Sequence, residues 1–382
     1  MTEPLTDTRG PLSAGAELVV VGAGLMGSMT AWAAARRGTD VLVLEQFDLG
    51  HAHGSSHGTA RIFRRAYPDP LFVRLSGPAR RSWAQLEVDA GVRLLDPVGG
   101  LDHGVSRDPA EIARVLDGCE VEHTVCSADE AEARWPGLRF DGPVVFHADG
   151  ACIDAAGAVS AALRSARANG ARVEGSTTVL ALAPDDDEVV VGTDRGDVRA
   201  HRVVVAAGGW TEDLLSGLVD LPPLRVSEEA VFHFPIRDGV DPWPCVVHGD
   251  ADAVFYHLPA GADVPGARKI GQHFSGEATT ATTRTGRIDP AVRERVVQYA
   301  RDWLPGLVPE PFAETTCLYT STASEDFVLD RVGPLVVCSP CSGHGAKFAP
   351  LIGTWAAGLA AGDPPPEPRF TLAAHRRASS QA

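Results

Sequence analysis

The feature that most constrains this chain is Gly22-x-Gly24-x-x-Gly27, lodged between an apolar run over 17–24, ELVVVGAG, and an Ala-rich stretch over 25–37 closed by Gly38. The apolar run lacks polar alternation, as in a strand buried on both faces of a parallel sheet, and the stretch after it is built of helix formers. A second apolar run over 41–44 ends at Glu45. Strand, glycine turn, helix and strand make a βαβ unit in which Gly22 permits the tight turn. Gly24 lets the backbone approach a pyrophosphate, and Gly27 allows close packing of helix on strand. Glu45, 18 residues past Gly27, stands where a carboxylate accepts hydrogen bonds from a ribose diol. The pattern predicts a bound dinucleotide. An acid at Glu45 disfavours the extra phosphate of NADP but leaves NAD and FAD both open.

Amphipathic helices are expected over 72–87 and 110–118, around a Gly-rich loop at 96–104, and Pro/Gly punctuation over 135–150 marks a boundary. An Ala-rich helix over 153–170, a strand-like segment over 171–182, an acidic turn at 185–187 and strands over 189–192 and 202–207 return the chain to the first body. From about 221 to 316 the runs are shorter and β-like (230–234, 254–258, 269–273), with one helix near 290–303. A strand over 335–338, a tight turn at 341–345 and a helix over 349–361 close the pattern. The expected fold class is α/β: a doubly wound, Rossmann-like domain, discontinuous in sequence, with a second β-rich α+β domain for substrate. The expected boundaries are 16–84, 149–215 and 326–365 for the first domain and 85–148 and 216–325 for the second, with tails at 1–15 and 366–382. A fingerprint at the start of the chain, with later returns to the same body, suits a discontinuous FAD-binding domain better than an NAD dehydrogenase.

The 382 residues carry 34 Lys and Arg against 50 Asp and Glu, a net charge of −16, without any long basic run. That balance argues against nucleic acid and against an anionic membrane surface as partners. No run approaches the roughly 20 apolar residues of a membrane span, and the polar, acidic start is unlike a signal peptide, so a cytoplasmic protein is expected. The seven cysteines are odd in number and irregularly spaced, as reduced thiols are. Cys338 and Cys341 form a CxxC-like pair with no second pair or His at metal-site spacing, and no metal is expected. Only two of the basic residues are lysines, Lys269 and Lys347. An ammonium is compact and its pKa is tunable, whereas guanidinium is a broad fork that stays charged. Both lysines are therefore expected where Arg does not fit.

The segment 54–67, GSSHGTARIFRRAY, packs glycines, hydroxyls and three arginines into a loop suited to wrapping a cofactor and aiming a guanidinium at a carboxylate. Arg61 and Arg64 are expected in that role and Arg65 in a solvated turn. Near the C-terminus, CSGHGAKF over 341–348 offers Gly343 and Gly345 for close approach to a ring, with Lys347 free to neutralise an anion. On the residues alone, Cys317 reads as a small core side chain.

Taken together, VGAGLMGS, SHGTARIFRRAY, YHLP with KIGQH, CLYTSTASEDFVLD and SGHGAKF, in this order over about 17–362, resemble the monomeric sarcosine oxidase family, with its N-methyltryptophan oxidase relatives. The resemblance implies a monomeric flavin oxidase of a secondary, N-methyl amino acid or related amine. Hydride passes from the carbon next to nitrogen to FAD, and oxygen is reduced to H2O2. It implies FAD held through a thioether to Cys317, which replaces the core reading of that residue. It places Ser55 and Arg61 against the flavin, with Met26 and Val179 also lining the cofactor. Arg64 and Lys347 would hold the substrate carboxylate, Lys269 would activate oxygen, and Tyr256, His273 and Tyr319 would line the pocket. No protein base is required if the amine reacts unprotonated in an apolar site; His273 and Tyr256 orient it. Ser56-His57 stands where the family often carries paired histidines, Arg65 where a His is common, and Cys341 where the residue is apolar or aromatic. These departures border the pocket, and they leave open a cyclic imino acid or a biosynthetic amine as substrate, or a dehydrogenase with another acceptor.

Overall fold

The computed structural model describes residues 12, 15–58, 60–262 and 264–379. Most of the N-terminal tail and Thr59 of the early loop lie outside the described residues. The βαβ unit forms as its pattern requires. Strand Gly15–Val21 runs into helix Leu25–Arg36 and then strand Val41–Leu44, and the two strands pair in parallel. Among the described residues they belong to an eight-stranded sheet, in the order Val179–Pro184, Val189–Thr193, Gly196–Val205, Gly15–Val21, Val41–Leu44, Arg172–Glu174. Leu335–Ser339 joins Gly196–Val205 in parallel, and Val328–Val332 pairs with it antiparallel.

Helix Leu25–Arg36 is buried except at Met26 and Arg36. It can be so because its neighbours are small: a Cβ at Gly353 of helix Ala349–Ala361 would fall 2.4 Å from the Met29 backbone carbonyl carbon. Helix Pro70–Ala90 begins where the Asp69 carboxylate accepts from Leu71 N and ends at Gly91, with φ 64°. Its Trp83 indole donates to the Lys347 carbonyl at 2.8 Å, tying this helix to the turn that carries the second lysine.

A second sheet, nine-stranded among the described residues, runs Glu277–Ala278, Arg225–Pro235, Ala267–Gln272, Val254–Pro259, Cys245–Gly249, Gly100–His103, Val144–His147, Thr124–Cys126, and Ala313–Ser321 pairs with Arg225–Pro235. Helix Pro290–Trp303 packs Val292, Val296 and Val297 into the core beneath it. A three-stranded sheet of Arg61–Phe63, Ala151–Ile153 and Leu95–Pro97 links the early loop to this region.

Two sequence expectations are corrected. The Gly-rich stretch over 96–104 is not a plain loop, since Gly100–His103 is an inner strand of the large sheet. Its glycines serve packing, and the His147 ring occupies the space where a Gly100 Cβ would sit, 2.4 Å away. The segment 171–182 is two strands, Arg172–Glu174 and Val179–Pro184, broken at Ser176, whose φ is 45°.

Candidate active site

A cavity of about 1100 Å3 opens between the two larger sheets and is lined by Gly22, Gly24, Met26, Glu45, Ser55 and Val179 among the nucleotide-side residues. Arg61, Arg64, Tyr256, Lys269, His273, Cys317, Tyr319, Gly343, Gly345 and Lys347 line the rest. Of the residues expected from sequence, only Gly27 stays out of the wall. It faces the first strand, where a Cβ would fall 1.8 Å from the Gly22 carbonyl oxygen, and this is the packing role expected of it.

At the nucleotide end, Gly22 has φ 98°, and a Cβ there would lie 2.6 Å from the Ala206 carbonyl oxygen. The turn thereby exposes the N–H groups at the start of helix Leu25–Arg36, whose N-cap, Gly24, brings no side chain. Ser56 Oγ accepts from Leu25 N at 2.8 Å. Glu45 accepts from Ala23 N at 2.8 Å and Phe47 N at 3.1 Å and faces His51 Nε2 at 3.2 Å. Burial pushes the Glu45 carboxyl up, but the His51 ring and these N–H groups outweigh it and hold the carboxyl below its ordinary value.

The other end concentrates positive charge. Arg61 donates to the carbonyls of Ser55 at 2.9 Å and His57 at 2.8 Å, which shapes the early loop around it. Arg64 donates to the Ala66 carbonyl, and its guanidinium lies 3.9 Å over the Tyr67 ring. Lys347 donates to the His344 carbonyl at 2.8 Å and Lys269 to the Ala60 carbonyl at 3.1 Å. Among the described residues none of these four cations has a carboxylate partner. The two lysines are 5% and 7% exposed. Burial, then Arg61, brings Lys269 down to about 7, and burial, then Arg64, holds Lys347 well below the ordinary lysine value. Buried cations with only carbonyl oxygens as partners are costly to hold, and they are poised for an incoming anion.

The turn that carries Lys347 is fixed against strand Ala313–Ser321 by Ser342 N, which donates to the Thr320 carbonyl. Gly343, at φ 69°, leaves the space in which Tyr319 and His273 come within 2.5 and 2.7 Å of where its Cβ would be. Cys317 lies two residues before Tyr319 on that strand. Burial pushes its thiol up, against the opposing pull of Arg61 and Lys269.

These walls fit FAD: a glycine turn at an open helix start, a buried carboxylate for the ribose, and a volume at the upper end of cofactor sites. A family model described as FAD dependent oxidoreductase matches residues 17–359.

The chain belongs to the FAD dependent oxidoreductase family.

It is a flavin-dependent enzyme of that family, with the Rossmann-like fold expected from its sequence. It is 34% identical over 352 residues to "Peroxisomal sarcosine oxidase" of Homo sapiens, covering 88% of this chain and 90% of the relative. It is 26% identical to "Monomeric sarcosine oxidase" of Bacillus sp. (strain NS-129), covering 90% and 92%. Among solved structures it is similar to NikD, "an unusual amino acid oxidase essential for nikkomycin biosynthesis", with TM-score 0.86, 29% identity and coverage of 94% and 98%.

The oxidoreductase also carries wall residues that sequence reasoning missed. His57 is half-buried, its Nε2 buried and unpartnered among the described residues, and burial, then Arg61 and Lys269, brings it down to about 4, so it is a neutral ring beside the cations. Tyr67, raised to about 12 by burial, meets His344 Nδ1 at 3.3 Å. Ser56, in sequence only a departure from the family's paired histidines, holds the helix start. Arg65 stays out of the cavity wall, but it is no solvated turn residue: its side chain is 20% exposed, pairs with Asp149 at 2.9 Å and donates to Ser76 Oγ at 3.1 Å.

Proposed function

We propose that this oxidoreductase oxidises a secondary, N-methyl amino acid or a closely related amino or imino acid, with its carboxylate held between Arg64 and Lys347. The observation that carries the reading is the half-buried Arg64 and the buried Lys347 at the substrate end, neither with a carboxylate partner among the described residues. A substrate carboxylate completes them with charge-assisted bonds, the Arg fork taking both oxygens. The sarcosine oxidase names of the relatives support the amine class.

Bound FAD supplies the two-electron acceptor. Gly22, Gly24, Met26, Glu45, Ser55, Arg61, Val179, Gly343 and Gly345 would hold it, with Cys317 as the point of covalent attachment. Support for Cys317 is its place in the wall, where the charges of Arg61 and Lys269 offset part of the burial that pushes its thiol up. Tyr256 and Tyr319, whose hydroxyls hydrogen-bond, and His273 wall off the substrate and orient its nitrogen. The apolar surroundings favour the neutral amine, which removes the need for a dedicated base. Lys269 places an ammonium where negative charge develops on oxygen as it is reduced to H2O2. The discontinuous segments of the first sheet support the division at 16–84, 149–215 and 326–365, with the second sheet drawn from 85–148 and 216–325. A cytoplasmic monomer agrees with the net charge of −16 and the printed name of the Bacillus relative. No helix of the described residues is long and apolar enough to cross a membrane.

The test is a panel of N-methyl, cyclic and primary amino acids mixed anaerobically with the loaded enzyme. Bleaching of the flavin is followed, and then peroxide on admitting air. The reading expects fast bleaching with secondary amino acids and peroxide in equal yield. No bleaching by any of them contradicts the substrate class; bleaching without prompt reoxidation contradicts the oxidase step and the role of Lys269. After acid precipitation, yellow colour is expected in the pellet of the wild type and in the supernatant of Cys317→Ser.

A further inference from the structure

Away from the cavity, the second sheet carries an arrangement that amine oxidation does not use. Strands Gly100–His103 and Cys245–Gly249 run parallel, and their register sets His103 beside His248. The rings stack, with centroids 4.0 Å apart and planes at 19°, and they are 3% and 0% exposed. The Tyr299 hydroxyl meets His248 Nδ1 at 3.3 Å, while His248 Nε2 and His103 Nδ1 have no partner. Buried polar atoms are nearly always paired, so two orphaned ring nitrogens on adjacent residues need a cause.

Phe140 lies 4.8 Å from the His103 ring and Trp303 4.4 Å from that of His248. An imidazolium pair in such surroundings is disfavoured, and the rings are available as neutral ligands. Asp141, exposed on the turn after Phe140, brings its carboxylate to the same place. One ligand atom from each of His103, Asp141 and His248 lies within 4.8 Å of the others.

We propose that His103, His248 and Asp141 form a binding site for a divalent transition metal ion of the zinc class. Two neutral imidazoles and one carboxylate, with a fourth position left to water, are a ligand set such an ion takes at about 2.0–2.2 Å. The absence of a thiolate turns the site away from copper(I), and imidazole suits zinc, nickel and cobalt better than magnesium or calcium. Closure on the ion draws the ligand atoms to about 3.3 Å from one another, the edge of a tetrahedron of that bond length. The exposed Asp141 turn swings in and the rings tilt out of their stack. Tyr299 acts as the outer partner, holding His248 Nδ1 and leaving Nε2 for the metal. None of the three ligands lines the large cavity, so the ion pins the turn at 141 onto the sheet and takes no part in amine oxidation. The three residues lie far apart in sequence, which is why no motif spacing announced them.

The experiment uses tag-free, flavin-loaded protein freed of metal with a chelator, then titrated with zinc chloride by calorimetry and with cobalt chloride by visible absorption. The expected result is one saturable zinc site per chain and the visible bands of four-coordinate cobalt. Asp141→Asn, on an exposed turn where folding is safe, is expected to weaken zinc binding about tenfold or more, and His248→Gln to remove the site. Zinc should raise the melting temperature of the wild type, and that of Asp141→Asn by clearly less at the same zinc concentration. Zinc binding that is absent, or unchanged in both variants, overturns the proposal.

Discussion

The two ends of the large cavity are built on opposite principles. At the nucleotide end the binding groups are backbone N–H donors and one carboxylate, set by residues 22–56 of a nearly contiguous stretch, and Glu45 is already satisfied by Ala23, Phe47 and His51. At the substrate end the groups are cations from three separate places in the chain, Arg61 with Arg64, Lys269, and Lys347, whose partners among the described residues are carbonyl oxygens and ring faces. One end is complete as folded and needs a shape to fill it. The other holds charge that only a bound anion completes.

If that contrast is right, damage at the substrate end should cost the reaction most. Arg64→Ala removes two charge-assisted bonds to the substrate, each worth about 1.5–3 kcal/mol, so kcat/KM for the best amino acid should fall about a hundred- to ten-thousandfold in steady-state assays. A fall below about tenfold would place the carboxylate elsewhere. Lys269→Met should spare anaerobic reduction and slow reoxidation by oxygen about a hundred- to thousandfold, measured by stopped flow.

The pH dependence sharpens the same point. Burial and Arg61 bring Lys269 from its ordinary value down to about 7, so the ammonium is lost as pH rises through that value. The reoxidation rate constant should decline with rising pH, its midpoint at about 7 or, with negative charge beside it, higher; the decline should vanish in Lys269→Met. A profile that rises with pH contradicts the assignment. At the completed end the effect is the smallest: in a Cys317→Ser background, where FAD can be removed and reloaded, Glu45→Gln keeps the acceptor oxygen and loses the charge, and should weaken FAD binding about tenfold, with substrate affinity unchanged. A larger change in substrate affinity than in FAD affinity would erase the distinction between the two ends.

The same contrast governs what the sequence disclosed. Strand Gly15–Val21, helix Leu25–Arg36 and helix Pro290–Trp303 are legible because local periodicity and glycine punctuation fix them. The strand Gly100–His103 is hidden because Gly99 and Gly100 signal a turn, while their real purpose is room for Phe146 and His147, brought up from 47 residues later. Likewise, the scarcity of lysine singles out Lys269 and Lys347, but only the fold shows that both are buried with no carboxylate partner among the described residues. His57 carries no local signal at all, since its character comes from burial beside Arg61 and Lys269.

The most direct measurement is a titration of the loaded enzyme with acetate, a small carboxylate that cannot be oxidised, followed by the visible spectrum of the flavin, in the wild type, Arg64→Ala and Lys347→Met. Saturable spectral change in the wild type, weakened about tenfold or more in each variant, is the expected result. Saturation with equal affinity in all three proteins would contradict a carboxylate held between Arg64 and Lys347.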